Sequence, residues 1–242
     1  MSKNYQFLAF DLEIARPITG SFDDWRLHRP LGIACAATLT ADGDLRLWHG
    51  ITPRGEIADQ MTADENAELV AHLNRAVASG YTLLTWNGLA FDFDVLAEES
   101  RQPDLCKQLA INHVDMMFHI FCHKGFPLAL DNAAKGMRLP GKPPGMSGEL
   151  APIYWQQGLR KQVLDYVAQD ARTTLDLAHA IQTQRELRWT SKRGSPQFLP
   201  VPAGLLTVRQ ALDLPEPDTS WMSRPMSRRR FIDWLGPLAG HP

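Results

Sequence analysis

The chain has 242 residues, an apolar fraction of 44%, a charged fraction of 21% and a formal net charge of −2 at pH 7. No window approaches the roughly 18 uninterrupted apolar residues of a membrane-spanning helix, which argues against a membrane protein. The length suits one large α/β domain, or a domain of about 180 residues with an extension.

The first residues and the cysteines both indicate a compartment. Residues 1–15 carry one early lysine and two acids where a secretion signal would have an apolar segment, so we expect a cytoplasmic protein. Cysteine is rare, and its three positions show no paired spacing: Cys35, Cys106 and Cys122. This usage is typical of reduced thiols rather than of a disulfide framework.

A possible zinc cluster lies in one predicted helix, at His119, Cys122 and His123. No second Cys or His pair completes four ligands at a recognised spacing. An amphipathic helix with incidental His and Cys is therefore the favoured interpretation.

The first half of the chain begins with strands. FLAFDLEI predicts a strand, residues 16–30 a polar loop, and LGIACAATLT with LRLWHG a hairpin that turns at Asp42-Gly43. Thr62 and Glu65 form a capping-box signature at the start of a helix that ends at Gly80. A buried strand, YTLLTW, then leads through the turn NG into a helix that begins near Phe91.

The second half is predicted to be mainly helical. Residues 103–125 are expected to be helical with a break at NHVD, LDNAAKGM to form a short helix, and residues 159–188 a long one. Between them, LPGKPPGMSG predicts a loop of functional size. The order of strands and helices predicts an α/β fold with a mixed sheet flanked by helices.

A change in composition marks a second segment after the long helix. PQFLPVPAG predicts a boundary, so we divide the chain into a domain of residues 1–189 and a basic C-terminal extension of residues 190–242. Residues 184–242 hold nine Lys or Arg against five Asp or Glu. Arginines beside tryptophan and phenylalanine suit a phosphate backbone and stacked bases, and a docked helix with a solvated basic face is the alternative.

Two acids interrupt the first apolar strand. Asp11 and Glu13 are two residues apart in FDLEIA and therefore share one face of a strand. Two like charges at this spacing destabilise each other unless a cation or a catalytic role compensates. A solvated acidic edge is the structural alternative.

Two further polar sites occur later in the chain. Asn87 and Asp92 lie in and just after the turn that follows YTLLTW, where Asp92 could also act as a helix cap and Asp94 is a competitor. Tyr166 and Asp170 are four residues apart on the long helix and project from one face. Asp170 could instead pair with Arg172 or Arg160, which are nearby in sequence.

The three sites together resemble the DEDD 3′-to-5′ exonuclease superfamily, of ribonuclease H-like fold. Its first motif, Asp-x-Glu, is matched on the first strand, its second by an Asn before Phe-Asp, and its third by Tyr-x-x-x-Asp on a late helix. The matching positions are Asp11, Glu13, Asn87, Phe91, Asp92, Tyr166 and Asp170. The tyrosine selects the DEDDy subclass.

Within that superfamily, the chain is most similar to predicted exonucleases related to the proofreading domain of family B DNA polymerases. The similarity covers roughly residues 5–185, except that nothing carries over to residues 16–29, and it includes Asp115, the loop Gly141-Lys142 and the run from Tyr154 to Thr174. It implies a ribonuclease H-like mixed sheet flanked by helices, with a basic C-terminal extension that the resemblance does not cover.

The resemblance also implies a mechanism with two divalent ions, Mg²⁺ or Mn²⁺, about 4 Å apart. Asp11 would bridge both ions, Glu13 and Asp170 would hold the ion that activates water, and Asp92 would support the ion near the leaving group. Tyr166 would orient the attacking water, because a phenol with an ordinary pKa of about 10 is a poor base at pH 7.

The implied substrate is a single-stranded DNA or RNA 3′ end, from which nucleoside monophosphates are released. Trp86, Asn87, Phe91 and Lys142 are candidates for binding the terminal nucleotide or its phosphate, although Lys142 could equally be an exposed charge. Two alternatives remain open: a structure-specific endonuclease of the same broad fold, and a catalytically inactive nucleic-acid-binding module.

Overall fold

The computed structural model describes residues 5–141, 145–191 and 194–237. The strands are β1 (Phe7–Ile14), β2 (Ile33–Thr40), β3 (Leu45–His49), β4 (Thr82–Thr85), β5 (Val114–Asp115), β6 (Glu186–Thr190) and β7 (Pro196–Pro200). The α-helices are α1 (Ala63–Ala78), α2 (Asp92–Glu99), α3 (Pro103–Asn112), α4 (Met116–Lys124), α5 (Leu130–Gly136), α6 (Ala151–Gln156), α7 (Arg160–Gln184), α8 (Val208–Leu212) and α9 (Arg229–Ile232). Short 3-10 helices span Phe22–His28 and Asp233–Leu235.

The central sheet is mixed, as the sequence predicts, and has the strand order β3-β2-β1-β4-β5. Strand β1 is antiparallel to β2 and parallel to β4, and β4 is parallel to β5. The predicted hairpin joins β2 to β3, where Gly43 takes a φ of 91° that glycine adopts at no steric cost. The predicted α/β fold with a mixed sheet is therefore confirmed.

Helices cover both faces of this sheet, because the side chains of β1 alternate between two cores. Leu8, Phe10 and Leu12 pack into a cluster with helices α1 to α4, whereas Phe7 and Ala9 pack into a second cluster with α5 to α7. Asp11 and Glu13 continue the Phe7-Ala9 side of the strand. The acids therefore lie on the side that α7 covers.

Strand β1 extends beyond the strand beside it. Residues Phe7 to Ala9 pair with β4, whereas the second half of β1 has passed the end of β4. The N–H group of Leu12 is thus available to another partner on that edge. In a parallel pair, the carboxyl ends of the strands are where ligands usually bind.

Two parts of the chain differ from their sequence-based predictions. The loop predicted for residues 16–30 contains the 3-10 helix, which buries Trp25. The helix predicted for residues 159–188 ends at Gln184, because Arg185 adopts a left-handed conformation and the chain then forms β6.

Strand β6 pairs with β7 in an antiparallel hairpin, and β7 is the PQFLP segment that predicted a boundary. Leu187 and Trp189 alternate with Arg188 and are buried in the core on the α7 side. No described helix is both long and apolar enough to cross a membrane.

Asp115 connects two loops at the carboxyl end of the parallel strands. It caps α4 by accepting a hydrogen bond from the Phe118 N–H at 3.1 Å. Its two carboxylate oxygens also accept from the backbone N–H groups of Asn87 at 3.0 Å and Leu89 at 2.9 Å. Burial raises the pKa of Asp115 to about 6, although these bonds favour its charged form. This carboxylate therefore fixes the turn after β4.

We expect Asp115→Asn to destabilise the fold and to loosen this turn. An amide presents one NH₂ where the carboxylate accepted, so a buried N–H loses its partner at a cost of about 1–3 kcal/mol. Urea unfolding measures the stability, and hydrogen exchange at the amides of Asn87 and Leu89 should accelerate. The exposed helix-start acid Asp104 provides the control, since Asp104→Asn should change neither. Equal exchange in both variants would contradict a positioning role for Asp115.

Candidate active site

A cleft of about 700 Å³ lies at the carboxyl end of β1. All three motif segments contribute to its walls: the second half of β1, the turn and first residue of α2, and the middle of α7. The polar residues predicted from the sequence that line it are Asp11, Glu13, Asn87, Asp92, Tyr166 and Asp170. The structure thus brings all four predicted carboxylates and the tyrosine into one cavity.

Asp11 and Glu13 occupy neighbouring positions on one side of β1. Asp11 is partly exposed, whereas Glu13 is 6% exposed. Glu13 lies opposite Cys35 of β2 in the strand register. Burial raises the pKa of the Cys35 thiol, and the charges of Glu13 and Asp11 raise it further. The site therefore carries enough negative charge to affect a neighbouring strand.

Asp92 reaches the cleft from the start of α2 and bonds to the exposed edge of β1. Its Oδ1 accepts a hydrogen bond from the N–H of Leu12 at 3.0 Å, which is the group left available where β4 ends. Burial raises the pKa of Asp92 to about 7, and the charges of Asp115 and Asp170 also raise it. Hydrogen bonds from the backbone N–H groups of Leu12 and of Asp92 itself lower this pKa.

The structure separates Asp92 from its competitor Asp94. Asp94 is also buried, but its carboxylate pairs with Arg26 at 2.8 Å and with Arg29 at 2.5 Å. Both arginines come from the segment around the first 3-10 helix. Asp94 therefore holds that segment against α2, while Asp92 lines the cleft.

Helix α7 places Tyr166 and Asp170 on the face that covers β1. Burial raises the pKa of Tyr166 above its ordinary value, and the charges of Glu13, Asp170 and Asp11, with a hydrogen bond to Asp170, raise it further. The phenol is therefore protonated at physiological pH and donates to the Asp170 carboxylate. Arg160, an alternative partner of Asp170 in the sequence, instead pairs with Asp59 at 2.5 Å.

The predicted substrate-binding residues Trp86, Asn87 and Phe91 also line the cleft. Asn87 has a φ of 71°, a left-handed conformation that asparagine tolerates better than most residues. At Gly88 a Cβ atom would lie 2.5 Å from the Thr85 hydroxyl oxygen, so the turn needs glycine. Lys142 lies outside the described residues.

Several residues in the cleft had no functional prediction. Two are further acids, Asp131 of α5 and Glu149, and Asp131 forms an ion pair with Lys135 at 2.5 Å. Neither belongs to a recognisable motif, so only the three-dimensional arrangement identifies them. Asp115 had been noted as part of the family resemblance, and its helix-capping position after a short strand was the available signal for its positioning role.

The donor chemistry of this cleft fits a hard divalent cation. Carboxylates supply oxygen ligands, which Mg²⁺ and Mn²⁺ prefer. The charges of Glu13, Asp170 and Asp11 all raise the pKa of Tyr166, so negative charge accumulates where a cation would relieve it. Within the described residues, however, no three His, Cys, Asp or Glu side chains are grouped closely enough to hold a metal ion.

We expect Asp92→Asn to stabilise the protein in the absence of metal. Between pH 4 and 7 the folded state retains the Asp92 proton that the unfolded chain has lost, so raising the pH favours unfolding. The asparagine removes this cost, and the gain at pH 8 should reach about 1–4 kcal/mol because one pKa unit corresponds to about 1.4 kcal/mol. Urea unfolding in EDTA at pH 5 and pH 8 measures it.

The matched control for this measurement is Asp94→Asn, two residues further along α2. Its neutralisation leaves Arg26 without its carboxylate and Arg29 with only that of Glu98, so stability should fall at both pH values. If Asp92→Asn also lost stability at pH 8, the charge of Asp92 would not destabilise the metal-free protein.

The match to a protein family agrees with this architecture. The search of curated proteins finds no match. Among solved structures, a family B DNA polymerase from the hyperthermophilic archaeon Pyrobaculum calidifontis is similar, with 18% identity and a TM-score of 0.49. The similarity covers 74% of this chain and 25% of the polymerase, so this chain matches about a quarter of that protein's length. The model of the ribonuclease H superfamily matches residues 51–182, more than half of the chain. The protein therefore belongs to the ribonuclease H superfamily.

Proposed function

We propose that this protein is a metal-dependent 3′-to-5′ exonuclease of the DEDDy type, which releases nucleoside monophosphates from single-stranded DNA or RNA. The ribonuclease H-like fold supports a nuclease. The observation that carries the finer proposal is the convergence of the three motif segments on one cleft, where four acids and a tyrosine face the same space.

Asp11, Glu13, Asp92 and Asp170 are the residues that would hold two divalent cations, Mg²⁺ or Mn²⁺. When bound, such ions lower the pKa of water and neutralise charge on the attacked phosphate and the leaving oxygen. Asp11 is the one of these four carboxylates that is partly exposed, so it would be accessible to an ion that enters the cleft. Holding the ions requires the carboxylates to approach one another more closely than in the arrangement described here.

Tyr166 has the properties of a positioning group rather than of a base. It is 2% exposed, and its raised pKa keeps the hydroxyl protonated. A protonated phenol can donate one hydrogen bond and accept another. In the proposed reaction it orients the attacking water, and its hydrogen bond to Asp170 holds the ring in place.

The terminal nucleotide would bind against Trp86, Asn87 and Phe91. The indole N–H of Trp86 donates to the Leu128 carbonyl at 3.0 Å, which fixes the ring at the cleft wall. An aromatic ring at such a position can stack on any base, so this contact suits an enzyme that removes nucleotides without regard to sequence. A contact from Lys142 stays a prediction.

We expect the protein to shorten a 5′-labelled single strand one nucleotide at a time in the presence of Mg²⁺ or Mn²⁺. Asp11→Asn should reduce the rate by at least about a thousandfold, because it removes the charge proposed to stabilise both ions. Denaturing gel electrophoresis of the products measures the rate. Asp104→Asn serves as the control with full activity.

The same assay separates the exonuclease from its endonuclease alternative. A circular single strand has no 3′ end, so the proposed enzyme should leave it intact. Cleavage of the circle at the rate of the linear strand would instead favour a structure-specific endonuclease. A product ladder that persists unchanged in Asp11→Asn would overturn the assignment of the site.

We also expect Mn²⁺ at millimolar concentration to raise the melting temperature. A ligand that binds only the folded state stabilises it in proportion to the logarithm of its concentration over Kd. Differential scanning fluorimetry measures the shift, which Asp11→Asn should largely remove. An inactive nucleic-acid-binding module would show no shift in either protein, and its strand binding would be unaffected by EDTA.

A further inference from the structure

A second cavity, of about 220 Å³, continues the cleft away from the carboxylates. Four residues line both spaces: Asn87, Phe91, Met117 and Pro127. The smaller cavity is below the roughly 300–1,000 Å³ of sites for drug-sized ligands. It has room for one unit of a larger molecule whose remainder lies in the cleft.

The outer walls of this cavity come from the two segments that the family resemblance does not cover. Trp25 and Arg26 belong to the 3-10 helix after β1, whereas Met226, Arg230 and Phe231 belong to the C-terminal extension. The extension therefore forms part of the surface next to the candidate active site, although its lining residues are more than 130 residues beyond Asn87 in sequence.

Three anchors hold the extension in this position. The guanidinium of Arg228 is buried and donates to the carbonyls of Leu212, Leu214, Pro215 and Cys122. The ring of Phe231 packs against Phe118 and Phe121 at centroid distances of 5.3 and 4.6 Å. The indole N–H of Trp234 donates to the Leu89 carbonyl at 2.7 Å, in the turn that carries Asn87.

The consecutive arginines of the extension have different environments. Arg228 is buried and its guanidinium bonds to backbone carbonyls, whereas Arg229 and Arg230 are exposed. Of these two, Arg230 lines the cavity and Arg229 does not. Because Arg228 and Phe231 flank it, the backbone position of Arg230 is fixed.

The chemistry of the lining matches a nucleic-acid strand. Arg26 and Arg230 supply two cations, and the described lining contains no acid. Arg26 contacts Asp94 and holds its own segment against α2, and Arg230 is the cation that the C-terminal extension adds to the lining. Phe91 is half-buried and offers aromatic surface beside the cations, and the buried Trp25 supports it edge to face at 4.9 Å. Cationic groups with aromatic rings are the usual composition of single-strand binding grooves.

We propose that this cavity is a subsite for the bound strand next to the cleaved phosphodiester, and that Arg230 of the C-terminal extension binds a phosphate there. The inference rests on the proposed function, since it assigns the extension a place on the same substrate. The ligand is a phosphate with its attached nucleoside, within a single strand.

The test compares Arg230→Gln with Arg229→Gln in the full-length protein. Binding of a 5′-fluorescein-labelled single strand is measured by anisotropy in EDTA over a series of salt concentrations. Arg230→Gln should weaken binding about 3- to 30-fold and reduce the slope of log K against log salt by about 0.7, as expected for one lost phosphate contact on a single strand. Arg229→Gln should retain the slope, and Arg230→Lys should restore it.

A second measurement locates the phosphate. A neutral methylphosphonate is placed singly at each phosphate near the 3′ end, and each strand is titrated with both proteins. At the contacted position the substitution should weaken binding to the wild type but not to Arg230→Gln, because the interaction is already absent there. Additive effects at every position, or equal salt slopes for Arg230→Gln and Arg229→Gln, would overturn the subsite.

This failure is distinguishable from failure of the proposed function. If the wild type shortens the labelled strand but the Arg230 and Arg229 variants bind it equally, the exonuclease proposal stands and the subsite proposal is wrong. If the wild type binds the strand and the methylphosphonate effect depends on Arg230, but the strand is never cleaved, the subsite stands as part of a nucleic-acid-binding module and the exonuclease proposal is wrong. Matching melting temperatures of the two arginine variants exclude unfolding as the cause of weaker binding.

Discussion

The site depends on a geometric constraint: β1 is longer than its parallel neighbour β4. Where β4 ends, the backbone N–H of Leu12 has no strand partner, and the carboxylate of Asp92 takes that place at 3.0 Å. The same second half of β1 carries Asp11 and Glu13. One strand overhang thus gathers three acids within a partly buried space, and desolvation makes their charges costly. The fold retains this cost at one place, as functional sites commonly do.

The turn after β4 is the element that the surrounding structure holds most firmly. Asp115 accepts from two of its N–H groups, and Trp234 donates to its Leu89 carbonyl. Below it, the Gly88 N–H donates to Thr85, whose hydroxyl contacts the buried His113 ring at 2.9 Å. Burial lowers the pKa of His113 to about 3, so the ring is neutral and can accept. This network fixes the start of α2 and hence Asp92.

The sequence was most informative where function depends on local spacing. Asp11 and Glu13 at i, i+2 on a strand, and Tyr166 and Asp170 at i, i+4 on a helix, share a face for reasons of period alone. The sheet and most helices followed from the same periodicities and from the capping box at Thr62. The β6–β7 hairpin did not, because the apolar spacing predicted a helix up to residue 188 and PQFLP indicated a boundary rather than a strand.

The partners of the arginines were equally inaccessible from sequence. Arg228 looks like its neighbours in SRRR, yet it binds backbone carbonyls inside the protein. Arg26 and Arg29 bind Asp94 and so keep the segment after β1 against α2. The segment after β1 and the C-terminal extension, both outside the motifs, therefore contact the second motif. Because both contact α2 or the turn before it, the position of Asp92 depends on them as well as on its own strand and helix.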